Sequence, residues 1–416
     1  MDLSPHLEGL LRELAPQTLA ALTRRYGHFD LAEDAVQEAL LAAASSWSER
    51  AVPENPAGWL TTVATRRLTD LLRSEQSRRR REQTEAVRTL TLTPSGPGTA
   101  EPVSAQDDSL VLLFLCCHPA LTPPAQVALT LRAVGGLKTA EIARSLLLPE
   151  ATITRRITRA KQTILDAGGR FTLPEPAERA SRLDVVLHVL YLIFTEGHTA
   201  TAGDALVRRD LCAEAIRLGR LLRRLLPDEP EVGGLLAQML LTDARRDART
   251  GPDGQLVPLP EQDRSRWDQA AIAEGIDLVT ESLARRRPGP YQLQAAINAL
   301  HAEAESYEQT DWPQILALYG VLDRLADDPV VTLNRAVALA QVHGPAAGLA
   351  LLETAAADPR LADHHRVHAV RAHLLRASGD PLAAAEEYRI AARRTLSTPE
   401  RQYLLREAAT TEAGSG

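Results

Sequence analysis

The residues best suited to chemistry lie between Thr152 and Lys161, which read Thr-Ile-Thr-Arg-Arg-Ile-Thr-Arg-Ala-Lys. Arginine forks match phosphate oxygens and guanine edges, and a threonine can donate to phosphate or touch a thymine methyl. Ile153, Ile157, Ala160 and Ile164 recur at helical spacing and predict one buried stripe. Thr154, Arg155, Thr158, Arg159 and Gln162 then face outward, with Arg156 and Lys161 on the flanks. A shorter helix is expected from Thr139, carrying Ile142, Ala143 and Leu146 on one side, and Pro149-Glu150 opens the second. A short helix, a tight turn and a second helix with a basic outer face form a helix-turn-helix, with Thr152, Thr154, Arg155, Arg156, Arg159 and Lys161 as candidate DNA contacts. A solvated helical hairpin would share the stripe. Leu147 stands where such turns often hold glycine, so a turn without left-handed backbone is expected there.

A second cationic stretch runs from Arg66 to Arg81, with seven arginines against Asp70 and Glu75. It belongs to a helix expected from Gly58 to about Arg81, with Leu60, Val63, Ala64, Leu68 and Leu71 inward and Arg66, Arg67, Asp70 and Arg73 off that stripe. Trp59 opens this helix and reads as exposed, although a core position would suit it too. An aromatic beside cations can stack on or wedge against unpaired bases while the cations hold the displaced backbone. Upstream, a helix from Asp30 has Leu31, Ala35, Val36, Leu40 and Ala43 as its apolar face. Its other face, Asp30, Glu33, Asp34, Gln37 and Glu38, is acidic with no basic partner in sequence. Acids in a first turn suit the helix dipole, but these extend beyond it and make a candidate docking surface.

These elements sit in a chain of 416 residues, long enough for two to four domains. Hydrophobic residues make up 44% and aromatics only 4%, so alanine and leucine must pack the cores, which favours an all-α fold. The net charge of -7 excludes a uniformly basic nucleic-acid coat. Positive charge is local instead, in two separated patches, as contact with nucleic acid at two places requires. Three cysteines make no disulfide framework and suit a reducing, cytoplasmic setting. No run reaches the length of a membrane span. Leu183–Phe194 is apolar but too short, and reads as a buried core helix.

The rest of the chain supplies the frame. Residues 5–26 form an amphipathic helix with Leu7, Leu10, Leu11, Leu14, Leu19 and Leu22, which Pro16 should kink or divide. Residues 86–109 read as a flexible linker, with Asp108 or Ser109 capping a helix over Leu110–Cys117 and Pro123-Pro124 opening the next. Towards the C-terminus, Ala336, Leu339, Pro345, Gly348, Leu352 and Ala355 recur 36 residues later as Ala372, Leu375, Pro381, Ala384, Tyr388 and Ala391. Helix, short proline turn, helix is a tetratricopeptide-like pattern, with an earlier unit over Tyr291–Ala304 and Trp312–Leu325 capped by Asp311. Cys116-Cys117-His118 and the histidines at 364, 365, 368 and 373 lack the spacing of a metal site. Asp253–Asp268 has no nucleophile and base pair and no phosphate cradle; it reads as an ordered polar loop between the halves, anchored by Trp267. No catalytic set and no cofactor are expected.

Asp34-Ala-Val-Gln-Glu, Asn55-Pro-Ala-Gly-Trp-Leu, the Arg66–Arg81 helix, the linker and Gly136-Leu-Lys-Thr-Ala-Glu-Ile-Ala with its second helix occur in the order and spacing of an extracytoplasmic-function (ECF) sigma factor, which residues 1–170 resemble. The remainder resembles the subgroup with a long helical C-terminal extension, through Val189-Leu-Tyr-Leu-Ile-Phe, Asp210-Leu-Cys-Ala-Glu-Ala-Ile-Arg-Leu, Asp228-Glu-Pro-Glu-Val, the Asp253–Asp268 stretch and Asn334-Arg-Ala-Val-Ala. Thr195 and His198 stand where that subgroup more usually has Asn and Tyr.

The resemblance implies region 2 over 1–85, a linker over 86–109, region 4 over 110–170, a helical extension over 177–288 and tetratricopeptide-like repeats over 289–412. It further implies that Asp34, Gln37 and Glu38 dock on core RNA polymerase. Trp59, Arg66, Arg67 and Arg73 would meet and open minus-10 DNA, and Thr152–Lys161 would read the minus-35 element. The extension would regulate, with a protein or peptide partner for its repeats. A stand-alone helix-turn-helix regulator with a tetratricopeptide sensor is the alternative; it leaves the Asp34 motif and Trp59 without a use.

Overall fold

The structure, a computed structural model, describes residues 5–47, 52–85, 105–146, 148–168, 171–326, 328–362 and 364–413. Leu147, most of the expected linker and the side chains of Arg78–Arg81 lie outside the described residues. The described chain is helical nearly throughout and divides into two compact units, Met1–Val189 and Leu190–Gly416.

The first unit contains α1 (Pro5–Tyr26), α2 (Phe29–Ser46), α3 (Pro56–Glu85), α4 (Ala105–Cys116), α5 (Pro123–Ala133), α6 (Thr139–Ser145), α7 (Glu150–Asp166) and the start of α8 (Pro176–His198). α1 packs on α2, α3 and α4. It runs unbroken through Pro16, which therefore does not divide it. The buried face of α2 is Ala32, Ala35, Val36, Ala39 and Ala43 rather than one built on Leu31 and Leu40, which are only half-buried. Alanines let the backbones approach closely, and that rotation carries Glu33 inward. α4 starts inside the expected linker, so Asp108 and Ser109 are buried within the helix rather than capping it. Asp108 pairs with Arg24 at 3.1 Å.

The expected junction at 171–176 differs from the observed division, which falls inside α8, between Val189 and Leu190. Arg182 shows why the early part of α8 sides with the first unit: its guanidinium donates to the Phe114 carbonyl at 2.7 Å.

The second unit adds β1 (Ala202–Gly203), α9 (Arg209–Leu225), α10 (Pro230–Asp243), α11 (Gln269–Ala284), α12 (Pro290–Glu303), α13 (Trp312–Leu325), α14 (Pro329–His343), α15 (Pro345–Ala356), α16 (His365–Ala377), α17 (Pro381–Arg394), β2 (Leu396–Ser397) and α18 (Thr398–Ala413). From α12 onward each helix packs on the next. Asp311 caps α13 by accepting from the Gln314 amide at 2.9 Å. At Gly348 an added Cβ would stand 2.7 Å from the Ala336 carbonyl oxygen, so α14 and α15 touch backbone to side-chain-free backbone. The unit then closes on itself. β1 and β2 pair in parallel, Ala202 with Leu396 and Gly203 with Ser397, and Thr398 donates to Asp204 at 2.9 Å.

The Asp253–Asp268 loop packs within this unit. Asp253-Gly254 forms the expected turn beside the Thr250–Leu256 bridge, and Trp267 is buried against Ala237, Leu241, Ala244 and Ile272. The acidic residues near α10 are engaged rather than free. Glu231 accepts from the Tyr291 and Gln292 amides at 3.0 and 3.1 Å, and Asp228 pairs with Arg285 at 3.2 Å.

Candidate nucleic-acid interface

The reading helix is built as its periodicity demands. Ile153, Ile157, Ala160 and Ile164 are buried, and α7 packs through them on α5 and α6. α6 opens where Glu141 accepts from the Lys138 amide at 2.7 Å, closing the first turn from the side-chain end. The chain leaves α6 through Leu146 at φ -100°, and the Leu148 amide donates to Ala143 at 2.9 Å; among the described turn residues none adopts left-handed backbone.

On the outer face Thr154, Arg155, Thr158 and Arg159 are exposed, and Thr152 and Arg156 are half-buried. No ion pair engages Arg155, Arg156 or Arg159 among the described residues; Arg155 makes only a 3.3 Å bond to the Ala151 carbonyl of its own helix. Three forks therefore stand ready for an external anion. The Thr154 hydroxyl donates to the Glu150 carbonyl at 3.0 Å, which leaves its lone pairs and methyl for a partner.

Lys161 departs from the expected outward set. Its ammonium turns to α2 and pairs with Glu33 at 2.5 Å and Asp34 at 2.9 Å. Arg132 of α5 reaches the same Glu33 carboxylate at 2.6 Å. Side-chain exposures of 2% for Glu33, 11% for Lys161 and 15% for Arg132 make this a buried ionic cluster joining α2, α5 and α7. The acidic face thus has basic partners, which corrects the expectation: sequence distance hid them. Burial pushes the Glu33 carboxyl up, but Lys161 and Arg132 outweigh it and hold the group below the ordinary range. For Asp34, at the edge, burial outweighs the pull of Lys161 and the pKa rises. The same fields raise Lys161, against the burial that opposes them. Glu38, farther along α2, meets Arg67 at 3.4 Å in an exposed pair, and Gln37 is half-buried.

α3 begins at Asn55-Pro56, where Asn55 accepts from the Gly58 amide at 2.9 Å. That cap sets Trp59, which is half-buried and meets the buried Trp47 ring edge-on at 5.2 Å. Trp59 is therefore neither free nor wholly core; one edge is anchored and the rest accessible. Arg66, Arg67 and Arg73 are exposed along the same helix, with Arg73 near Asp70 at 3.5 Å.

The structure brings the two cationic helices and the acidic helix into one unit. Residues 10–78 match the family described as Sigma-70 region 2, and residues 112–164 match Sigma-70, region 4. Residues 182–283 match a family of unknown function, DUF6596. An uncharacterized protein of Rhizobium meliloti (strain 1021) is 43% identical over 365 residues, 88% of this chain and 86% of its own length. No solved structure matches.

The chain belongs to the sigma-70 family. Sigma-70 region 2 coincides with most of α1–α3, and region 4 with most of α4–α7; a helical C-terminal extension comes after them. As a sigma-70 protein it acts in promoter recognition, with core RNA polymerase and promoter DNA as partners. Arg132 is the site residue that sequence reasoning missed, and Glu33, expected on the outer acidic face, is buried instead. The available signal was Glu33's place beside Ala32 and three residues before Val36, on the buried side of α2.

Proposed function

We infer that this chain is an ECF-type initiation factor whose α7 reads the minus-35 element, whose α3 opens minus-10 DNA and whose α2 docks on core polymerase. The observation that carries it is the set of arginines on α7, Arg155, Arg156 and Arg159, without ion pairs among the described residues and opposite a buried isoleucine stripe. Trp59, Arg66, Arg67 and Arg73 serve strand opening, a half-exposed ring beside exposed cations. Thr152 and Thr154 add contacts beside the arginines. Docking uses Asp34, Gln37 and Glu38. Since Asp34 and Lys161 neutralise one another here, and Glu38 meets Arg67, docking on basic polymerase residues exchanges these internal pairs for external ones. Lys161 keeps its buried pair with Glu33 through that exchange, so it supports α7 rather than reaching DNA. The C-terminal extension, with its tetratricopeptide-like helix pairs, regulates initiation; its link to the first half is α8, a single unbroken helix shared by both units.

The test is transcription in vitro with core polymerase, using the full chain and its Arg155→Ala, Arg156→Ala and Arg159→Ala variants. Promoter choice should change at one position when a guanine-reading arginine is lost, and weaken evenly when a phosphate contact is lost. Unaltered promoter choice and strength in all three would remove α7 as the reader. DNA binding without any response to core polymerase would instead favour a stand-alone regulator.

A further inference from the structure

The C-terminal unit holds a cavity of about 660 Å³ between the Pro258–Glu261 loop and helices α12, α13, α14, α16, α17 and α18. That volume is in the range of a small-molecule site. In a chain with few aromatics, Tyr307, Trp312, Tyr319, Tyr388 and Tyr403 all line it. Tyr307 and His301 each meet the Trp312 ring edge-on at 5.3 Å, so one wall is a preassembled aromatic surface.

The other relevant feature is a run of arginines, of which Arg366 has no direct ion pair among the described residues. Arg366 lines the cavity, and its guanidinium has no hydrogen bond or ion pair among the described residues. Arg249, Arg245 and Arg264 continue from it, each acting electrostatically on the next. Arg264 and Arg245 flank the Trp267 ring at 4.4 and 6.0 Å from its centroid. Arg264 donates to the His301 and Ala304 carbonyls at 2.7 and 2.8 Å, while its Nη2 is buried without a partner. Arg249 donates to the His198 carbonyl and to Thr199 Oγ1. The guanidinium of Arg245 has no hydrogen bond or ion pair among the described residues. Burial, then the neighbouring arginine, pulls Arg245 and Arg249 down to about 10. Burial, then Arg245 and Arg264, takes His301 down to about 4, so it is neutral with an unpartnered Nδ1.

The carboxylates nearby offset this wall only in part: Glu400 acts electrostatically on Arg366 and Arg249, and Glu308 on Arg264. Glu407 is held by Arg376, Glu261 is exposed, and Glu400 is engaged by His365 at 3.3 Å and Thr395 at 2.9 Å. Arg245 and Arg249, shielded from water and close to like charge, destabilise the unit less when an anion lies nearby, and Arg366 is exposed to receive one.

We propose that this cavity is a ligand site for a small aromatic anion, its ring seated against Trp312, Tyr307 and Tyr319 and its acidic group directed to Arg366. The site is independent of the promoter-reading assignment, because every lining residue lies in the C-terminal unit. Arg366 supplies a charge-assisted fork, and the arginines behind it add field without occupying the space.

The probes are 8-anilinonaphthalene-1-sulfonate, an aromatic anion, and the uncharged N-phenyl-1-naphthylamine, titrated into the full chain by fluorescence and thermal shift. One sulfonate per chain should bind and raise Tm, and salicylate should displace it. Arg366→Gln, at an exposed side chain, should weaken the sulfonate by about tenfold or more, as loss of a charge-assisted bond does, and leave the neutral amine nearly unchanged. Ala369→Trp, which fills the lining, should weaken both. Absence of sulfonate binding to the wild-type chain overturns the proposal. So does equal sulfonate affinity in wild type and Arg366→Gln, with circular dichroism showing both folded. Full binding of both probes by a folded Ala369→Trp chain places them elsewhere and overturns it too.

Discussion

At the scale of single residues, the two sides of α7 have different fates. Arg155 and Arg159 point away from the protein, whereas Lys161 is drawn into the cluster with Glu33 and Asp34. Loss of whichever arginine grips a guanine by both nitrogens should cost about 1–3 kcal/mol of promoter binding, read as a shift in holoenzyme affinity on a promoter series. Glu33→Gln tests the other side. It removes the carboxylate that Arg132 and Lys161 share and leaves Lys161 only Asp34, and unfolding in urea should show a loss of about 3 kcal/mol, the lower edge for breaking a buried pair because both cations keep some water and Lys161 keeps a partner. Lys161→Met in the same chain should restore part of that loss. The pH dependence has a definite sign. Glu33 is depressed, so its stabilisation is present above the ordinary glutamate value of 4.5 and is lost as pH falls through its lower folded value. Lys161 is raised, so its share persists below 10.5 and is lost only as pH climbs through its higher folded value. The gap in Tm between wild type and Glu33→Gln should therefore be flat across neutral pH and shrink in acid. A gap that widened in acid would mean the cluster is not what holds α2 to α7.

At the scale of elements, α8 is the joint on which truncation depends. A chain ending at Glu175 loses Arg182 and its bond to Phe114, together with the buried Leu183, Val186 and Leu187. A chain ending at His198 keeps the helix whole. The longer fragment should melt higher and transcribe more evenly, and equal Tm for the two would make α8 irrelevant to the first unit. Gly348→Val should be poorly tolerated, since even a Cβ would stand 2.7 Å from the Ala336 carbonyl; a Tm within a degree or so of wild type would mean α14 and α15 part easily. Elements of this kind were largely legible in the sequence. The isoleucine stripe of α7, the Asp311 cap and the glycine and alanine pattern of α14–α17 arise from local spacing. The features that were not legible have a common physical cause. Leu31 and Leu40 outrank alanine in any hydrophobic pattern, yet close helix packing selects alanines and turns Glu33 inward. The pairs Glu33–Arg132 and Arg24–Asp108 join residues far apart in sequence, where spacing carries no signal. Pro16 breaks an isolated helix, but the packed one absorbs it.

At the scale of the whole molecule, the pairing of β1 with β2 ties the second unit's beginning to its end, and no local pattern announces two-residue strands. A chain ending at Arg394 should open at β1 as well. Trypsin should then cut after Arg208 and Arg209 faster than in the full chain, and unchanged cleavage would show that the pairing carries no tension. The same closure sets a timetable. At about 5–20 residues per second, a ribosome needs roughly 10–45 s to make the chain beyond Val189. Throughout that interval the promoter-reading half is complete and emerging, while the half behind it still awaits the strand at Leu396. A nascent chain therefore passes through a stage in which recognition has been made and its extension has not yet closed.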